Sequence, residues 1–437
     1  MGSATVLTGA FLAALLTAWT LLGMSRGALH PRRVLAAYWM ALVGVTVALY
    51  SEGYLSSASV IAIAMGVLAF TFGVVLATLR SPAACPGRGP TLRGRDIKWL
   101  VIAGTVANLV AAVIALRVNG FSLVYVFSLD GLLNTANDVA VARYSGGDYG
   151  SIWTPPLLGI GYAAALVAPF LMLTDARSSR LLPFAPVLSS LAYAAVTTER
   201  LGLLTSASLT AGGFIAAVVL RDGEAPRLTR GVVLRVLAAV LVVGASFTTI
   251  AFLRVGQVDS SVAGVIWDKQ TTYALGSVPA FFEWYGNYRD PTSREAPLGW
   301  GTASIAGVEF VTGQSREATR AYGQFVVIDS SGRQTNVYTM FRGLILDFGE
   351  SGALLVLTAA GFGFGRAYRA ASVRRSALAA GLLACGYAMI LLSNTTAITT
   401  FSNICAAMAL GVWVLSRQAR SGGRHSQPKL KALAKAR

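Results

Sequence analysis

Long apolar runs, separated by short polar segments, recur along almost the whole of this 437-residue chain. A run of about 17–22 apolar residues is long enough to cross ~30 Å of hydrocarbon as an α-helix. The pattern predicts an all-α, polytopic integral membrane protein with about eleven transmembrane helices. We place these helices at 5–25, 34–50, 58–79, 99–117, 152–173, 181–197, 201–220, 232–252, 341–363, 377–394 and 403–416.

Two polar segments between the predicted spans are long, and the others are short. The first covers about 118–151, and its apolar front half is typical of a helix lying at the membrane interface. The second covers about 254–340 and is large enough for a small subdomain outside the membrane. Within it, residues 271–288 are too short and too aromatic to span, which favours an interfacial or re-entrant helix. We predict one membrane-embedded domain over 1–416 and a basic, disordered tail over 417–437.

The net charge of +17 is distributed unevenly along the chain. Under the predicted topology, alternate loops and the tail contain 24 of the 36 Lys and Arg residues, and the rest of the chain contains 15 of the 19 acidic residues. Cytoplasmic loops favour Lys and Arg, so we expect the tail inside and the amino terminus outside. The basic surplus then faces membrane lipid rather than nucleic acid. Both long polar segments become extracytoplasmic.

The composition also narrows the chemistry. Only 13% of the residues are charged, against about a quarter in soluble globular proteins. The two histidines, His30 and His425, are both predicted to be cytoplasmic, so we expect no extracytoplasmic histidine base or metal cluster. We expect neither a metal nor a cofactor. Gly361 and Gly365, within the run GFGFG, indicate close helix packing rather than a phosphate-binding loop.

Ionisable residues crowd the start of the span predicted at 341–363. The stretch 335–352 reads TNVYTMFRGLILDFGESG and contains Arg342, Asp347 and Glu350. Charged groups near the hydrocarbon are costly, and where they occur they usually mark a functional site. The stretch follows the larger extracytoplasmic segment directly. We therefore expect a site for a charged substrate at the outer membrane face.

Arginines at the ends of other predicted spans extend this site. Arg143, Arg200 and Arg254 join Arg342 on the predicted outer side, where Lys269 is the one lysine. A guanidinium stays charged in a partly dry site and binds phosphate oxygens through two donors at once. Four such residues favour a lipid-linked phosphate or pyrophosphate as the ligand. The alternative for each arginine is that it reaches for lipid headgroups or pairs with a nearby acid.

Two short runs and one glycine carry a resemblance to a known family. They are Asn336-Val337-Tyr338-Thr339, Leu346-Asp347-Phe348-Gly349 and the following Gly352, and they come just after a large extracytoplasmic loop. This block resembles the bacterial oligosaccharide repeat-unit polymerases, the Wzy or O-antigen polymerase family. Further similar features are Arg254-Val255-Gly256, the run Tyr273-Ala274-Leu275-Gly276, and Arg200 at the opening of a span. Arg254 and Gly264 are one residue too close for the arginine–glycine loop motif of some members.

The resemblance implies a membrane glycosyltransferase with a polymerase- or ligase-like architecture in the bacterial cytoplasmic membrane. Its substrate would be an undecaprenyl-pyrophosphate-linked glycan, and a chain-length regulator and a flippase would be its partners. Catalytic roles then fall to Arg200, Arg254 and Arg342, which would hold the pyrophosphate, and to Asp347. Substrate-binding roles fall to Arg143, Glu199, Tyr273, Glu283, Asn336 and Tyr338, with Trp284 and Tyr285 suited to sugar rings. Asp347, Glu199 and Glu283 are the candidate bases.

Several alternatives remain open from the sequence. Asp347 has a structural reading, in which it pairs with Arg342 or Arg254. Glu199 and Arg200 have another, in which they form a local ion pair in a tight helical hairpin. At the level of function, the alternatives are an enzyme similar to the O-antigen ligases and a transporter or flippase of a lipid-linked or anionic substrate. Ligases of this kind use a periplasmic histidine. Both histidines of this chain are predicted to be cytoplasmic, and this favours the polymerase.

Overall fold

The computed structural model describes residues 27, 29–49, 56–79, 92–144, 151–174, 181–227, 229–255, 260–289, 298–313 and 325–422. Within these ranges the chain is almost entirely helical, as predicted. The helices are α1 (Pro31–Leu49), α2 (Ser57–Thr78), α3 (Gly94–Val118), α4 (Leu129–Tyr144), α5 (Thr154–Val167), α6 (Ala185–Thr197), α7 (Arg200–Asp222), α8 (Arg230–Val255), α9 (Ser260–Leu275), α10 (Ser277–Tyr288), α11 (Val308–Thr312), α12 (Met340–Ser372), α13 (Ala377–Leu392) and α14 (Ser402–Gly422). Strands β1 (Val326–Val327) and β2 (Gln334–Thr335) form an antiparallel hairpin.

The protein is a polytopic helical membrane protein. Seven helices among the described residues are long and apolar enough to cross a membrane, namely α1, α2, α3, α5 with its 3₁₀ extension to Leu173, α7, α8 and α12. Two shorter apolar helices cover Leu182–Thr197 and Ala377–Leu392. The span predicted at 5–25 lies outside the described residues, so the count of eleven stays a prediction. Helix α14 continues past Arg417, where we predicted the tail to begin, as far as Gly422.

Helices α2 and α12 pack closely because glycines remove the side chains between them. A methyl group on Gly361 would lie 2.0 Å from the carbonyl oxygen of Phe70, and one on Gly73 would lie 2.0 Å from that of Thr358. A methyl group on Gly365 would lie 2.7 Å from the β-carbon of Ala77. The packing role predicted for Gly361 and Gly365 is confirmed.

Helix α12 is broken at Gly349, where the continuous helix predicted for 341–363 is wrong. Gly349 has φ 68° and ψ 176°, a combination that glycine alone adopts readily. A methyl group added to Gly66 of α2 would lie 2.6 Å from the side chain of Phe341 and 3.2 Å from that of Leu357. These two residues would lie about 24 Å apart in a straight helix. The chain therefore doubles back at Gly349, and both parts of α12 pack on the same level of α2.

The described parts of the segment 254–340 contain α9, α10, α11 and the β1–β2 hairpin. Residues 271–288, expected as one interfacial or re-entrant helix, are divided between α9 and α10. The Ser59 hydroxyl of α2 donates a hydrogen bond to the Phe282 carbonyl at 3.1 Å, which fixes α10 against the bundle. The hairpin packs on α10 through Ile328, which lies in one apolar cluster with Ala280 and Tyr338. Through these contacts with α10, the segment before α12 lies near the amino-terminal end of α2.

Candidate functional site

A small cleft opens where α12 begins. Its volume is about 40 Å³, and it is lined by Ala303, Asn336, Tyr338, Thr339, Arg342, Gly343, Thr395, Thr396 and Ala397. The lining comes from three places in the sequence: the segment 336–343 that leads into α12, the loop 298–307 and the loop between α13 and α14. A cavity needs roughly 10–15 Å³ to hold one water, so this one accepts a few water-sized groups. That is the scale of the oxygens of one phosphate.

Arg342 is the charged side chain of the cleft and is almost completely buried, with 2% of its surface exposed. Its guanidinium carbon lies 3.6 Å from the ring centroid of Tyr338 and 5.4 Å from that of Trp284. Such cation–π contacts are worth about 2 kcal/mol when the cation is desolvated. They offset part of the cost of burying the charge.

The geometry of a guanidinium determines what the cleft can bind. Its hydrogen-bond donors all point outwards in the plane of the group, and the Tyr338 ring centroid lies 3.6 Å from its central carbon. Thr395, Thr396 and Asn336, which carry hydroxyl and amide groups, also line the cleft. Among the described residues that line the cleft, none is acidic. The cleft therefore combines one positive charge with neutral donors, a set that matches an oxyanion.

Asp347 supports the cleft instead of lining it. Its carboxylate is fully buried and accepts hydrogen bonds from the backbone N–H groups of Ala303 at 2.9 Å and Ser304 at 2.7 Å. The Ser304 hydroxyl donates a third bond to it. The alternative in which Asp347 pairs with Arg342 or Arg254 is not what the structure shows, because the partners of its carboxylate are these three neutral donors. Asp347 thus fixes the loop that carries Ala303 into the cleft.

The break at Gly349 contributes to the same attachment. A helix that stops early leaves its last carbonyl groups without their usual partners. Here the N–H of Gly299 donates to the Leu346 carbonyl at 3.1 Å, and that of Trp300 donates to the Asp347 carbonyl at 3.0 Å. The loop 298–307 therefore fills the end of the first part of α12. On its other side, the Thr399 hydroxyl donates to the Ser304 carbonyl at 2.5 Å.

Aromatic side chains of α10 form the wall behind Arg342. The ring centroids of Trp284 and Tyr288 are 5.1 Å apart, and those of Phe281 and Tyr285 are 5.5 Å apart. The Tyr285 hydroxyl donates to Glu350 at 2.8 Å. Burial raises the pKa of Tyr285, and the bond to the Glu350 carboxylate raises it further. Tyr285 is thus a hydrogen-bond donor at neutral pH, and it joins α10 to the second part of α12.

A second cationic group lies at the start of α7. The guanidinium carbon of Arg200 is 4.9 Å from the ring centroid of Tyr273 and 6.0 Å from that of Phe247. Thr198, with φ 55°, forms the tight turn between α6 and α7, as the sequence predicts. Glu199 accepts a long hydrogen bond from the Tyr193 hydroxyl at 3.4 Å. The structure thus brings Arg200 and Tyr273 together, and neither lines the Arg342 cleft.

The other predicted site residues are dispersed. Arg254 lies half-buried in the last turn of α8, and Glu283 accepts a hydrogen bond from Asn287 at 3.3 Å on the surface of α10. Neither lines the cleft. Arg143 belongs to α4, but its side chain lies outside the described residues. Of the predicted residues, the structure therefore gathers Asn336, Tyr338 and Arg342 in the cleft, with Asp347 behind them.

Sequence reasoning missed the threonines of the loop between α13 and α14. Thr395 and Thr396 line the cleft together with Arg342, and the carbonyl of Ser393 in the same loop accepts a hydrogen bond from the backbone N–H of Met340 at 2.8 Å. The available signal was the polar run SNTTAITT at 393–400 between two apolar runs. Its contribution to a site depended on the return of α12 to the same level, which the sequence does not reveal.

Comparison with protein-family models, with curated proteins and with solved structures finds no match. Among the described residues, no group of three or more His, Cys, Asp and Glu side chains is placed to hold a metal ion. The cleft itself offers one guanidinium, hydroxyls and an amide, which are donors suited to an anion. The absence of a metal from the reaction stays a prediction.

Proposed function

We propose that this protein is a membrane glycosyltransferase that polymerises lipid-linked oligosaccharide repeat units into a surface polysaccharide. Its substrate is the undecaprenyl-pyrophosphate-linked repeat unit, and the reaction takes place at the outer face of the bacterial cytoplasmic membrane. The amino terminus lies outside and the carboxyl terminus lies in the cytoplasm. Membrane lipid surrounds the protein, and a flippase and a chain-length regulator act as its partners.

The observation that carries the proposal is the buried, ring-stacked Arg342 in a cleft with no acidic lining residue among those described. Burying a guanidinium is costly, and the cleft places it among neutral hydrogen-bond donors. This arrangement is useful when an anion enters. A pyrophosphate supplies that anion, with oxygens placed for the two-donor edge of an arginine.

The block that resembles the polymerases gives the second support. Asn336, Tyr338 and Arg342 line the cleft, and Asp347 and Gly349 attach the loop that completes it. The residues of the resemblance therefore belong to one structural unit. We retain Arg200 and Tyr273 as a second contact for the lipid-linked substrate, and Arg254 and Arg143 as further anion-binding candidates.

The reaction that we propose is a single displacement. A hydroxyl oxygen of the acceptor repeat unit attacks the anomeric carbon of the donor glycan, the bond from that carbon to the pyrophosphate oxygen breaks, and its electron pair leaves with the pyrophosphate. Arg342 stabilises the charge that develops there, a contribution that often dominates catalysis. Glu199 and Glu283 are the candidate bases for the hydroxyl proton. We assign Asp347 a positioning role because its carboxylate is already occupied by three donors.

A reconstituted assay tests the proposal. Purified protein in liposomes receives an undecaprenyl-pyrophosphate-linked repeat unit, without nucleotide sugar, and with or without EDTA. We expect a ladder of products that differ by one repeat unit. The rate should be the same with EDTA, because Arg342 rather than a metal ion stabilises the charge on the leaving pyrophosphate. Release of undecaprenyl pyrophosphate should match the number of bonds formed.

Two results would overturn the proposal. Movement of unaltered substrate across the bilayer without a ladder would identify a flippase. Transfer of one glycan to an added acceptor, with no ladder from the repeat unit alone, would identify an enzyme similar to the ligases. A ladder that disappears with EDTA would leave the polymerase in place and remove the expected metal independence.

A further inference from the structure

An apolar patch projects from the loop that completes the cleft. The patch belongs to residues 298–313, named here the loop wedge. Phe310 and Val311 are 87% and 88% exposed, and Trp300 is 63% exposed. Leu298 and Ile305 are also exposed. Several large apolar side chains on one exposed loop usually mark a binding surface, because leaving such side chains exposed to water is unfavourable.

The loop wedge is a built structure. Helix α11 lies between Gly307 and Gly313, which have φ 81° and 68°. Val308 and Thr312 are four residues apart and therefore share one face of α11. Val308 packs 3.4 Å from the β-position of Gly301, and the Thr312 hydroxyl lies 3.4 Å from that of Thr302. Phe310 and Val311 consequently point away from the loop.

Trp300 is held in an unusual backbone conformation. Its φ is 48°, a left-handed value that is rare for a bulky residue. The hydrogen bond from its N–H to the Asp347 carbonyl keeps it there. The N–H of Ala306 donates to the Thr399 carbonyl at 2.7 Å, which secures the other end of the loop. The apolar side chains are thus presented at a fixed place on the protein.

The position of the loop wedge identifies what covers it. The loop is hydrogen-bonded to Leu346 and Asp347, directly before the break at which the second part of α12 begins its apolar course. Leu355, on the exposed side of that part, is 71% exposed, and α12 is one of the helices long and apolar enough to cross a membrane. The loop wedge is therefore attached at the start of a segment that is long and apolar enough to span the membrane. Tryptophan and phenylalanine at the end of a span are typical of the membrane interface.

We infer that the loop wedge inserts Trp300, Phe310 and Val311 into the lipid layer next to α12. The partner is the bilayer itself, and the contact holds the Arg342 cleft at the level of lipid headgroups. Because Ala303 of the same loop lines the cleft, the depth of the wedge sets the depth of the site. This inference does not depend on the proposed reaction, since it concerns only the placement of the loop.

Spin labels measure the depth directly. In a chain with Cys85→Ser, Cys385→Ala and Cys405→Ser, single cysteines replace Phe310, Val311, Leu355 or Ser330 and receive a nitroxide. The protein is placed in liposomes of phosphatidylethanolamine and phosphatidylglycerol. At 310 and 311, as at the lipid-facing control 355, we expect collisions with oxygen to exceed those with a water-soluble nickel chelate. At 330, on the exposed turn of the hairpin, we expect the reverse.

A second measurement avoids the cysteine replacements. The emission of Trp300 is taken as the difference between the full chain and Trp300→Phe in the same liposomes. Brominated acyl chains should quench that difference signal if the indole lies among the lipids. Labels at 310 and 311 that behave like the label at 330, or a Trp300 signal that brominated lipid leaves unchanged, would overturn the inference and indicate a surface that faces water, a glycan or a protein.

Discussion

Replacing Arg342 with alanine is expected to lower the rate of glycan polymerisation by roughly 10²–10³-fold, the usual loss when one preorganised donor to a developing anion is removed. Arg342→Lys should recover only part of this rate. Lysine keeps the charge, but it cannot donate two parallel hydrogen bonds or lie flat on the Tyr338 ring as a planar group does. The measurement is the initial rate of ladder formation in liposomes.

Arg289→Lys is the matched control for this prediction. Arg289 is also close to α10 and α12, but it is exposed and pairs with Glu350 at 3.8 Å, and such surface pairs contribute about 0–1 kcal/mol. We expect its rate to be unchanged. Thr395→Val and Thr396→Val test the other lining residues of the cleft without removing a charge, and each should slow the reaction. An Arg342→Ala protein that remains folded and polymerises at the normal rate would exclude the cleft as the site.

Replacing Asp347 with asparagine is expected to reduce both stability and activity. Asparagine has the shape of aspartate, but its amide group would place a donor against the N–H groups of Ala303 and Ser304. Hydrogen bonds to a charged group are worth about 1.5–3 kcal/mol each, so the midpoint of thermal unfolding in detergent should fall clearly. The loop 298–307 should become more accessible to protease at the same time.

Ser304→Ala separates a positioning role from a catalytic one. It removes one donor to the Asp347 carboxylate and leaves the carboxylate itself in place. If Asp347 positions the loop, Ser304→Ala should show a weaker form of the same two defects, whereas Ser351→Ala, an exposed serine on the same helix, should show neither. If Asp347→Asn abolished polymerisation with unchanged unfolding and proteolysis, Asp347 would instead act as the base.

The sequence predicts the membrane helices and the position of the candidate cleft from local pattern alone. Apolar runs of sufficient length indicate spans wherever they occur. Charged residues inside such a run are costly wherever they lie, so Arg342 and Asp347 were visible as candidates. The glycines at 361 and 365 also predict close packing from their spacing alone.

The different positions of Arg342, in the cleft, and Asp347, behind it, were not predictable from the sequence. They depend on the backbone conformation of one residue, Gly349. Gly349 occupies a region of φ and ψ that only its surroundings select, and glycine occurs in many helices without a break. Because α12 turns back on itself, Arg342 lines the same cleft as Thr395 and Thr396. Asp347 instead accepts hydrogen bonds from the loop 298–307. Sequence patterns do not contain these long-range contacts.

The central claim is that Arg342 binds the pyrophosphate of a lipid-linked substrate, and equilibrium binding tests it most directly. Undecaprenyl pyrophosphate is titrated onto the purified full chain in nanodiscs of neutral lipid, and the same titration is made with Arg342→Gln and Arg289→Gln. The account predicts saturable binding by the unaltered chain and by Arg289→Gln, with at least about tenfold weaker binding by Arg342→Gln, a loss of roughly 1.4 kcal/mol. Equal affinity of all three proteins would contradict it.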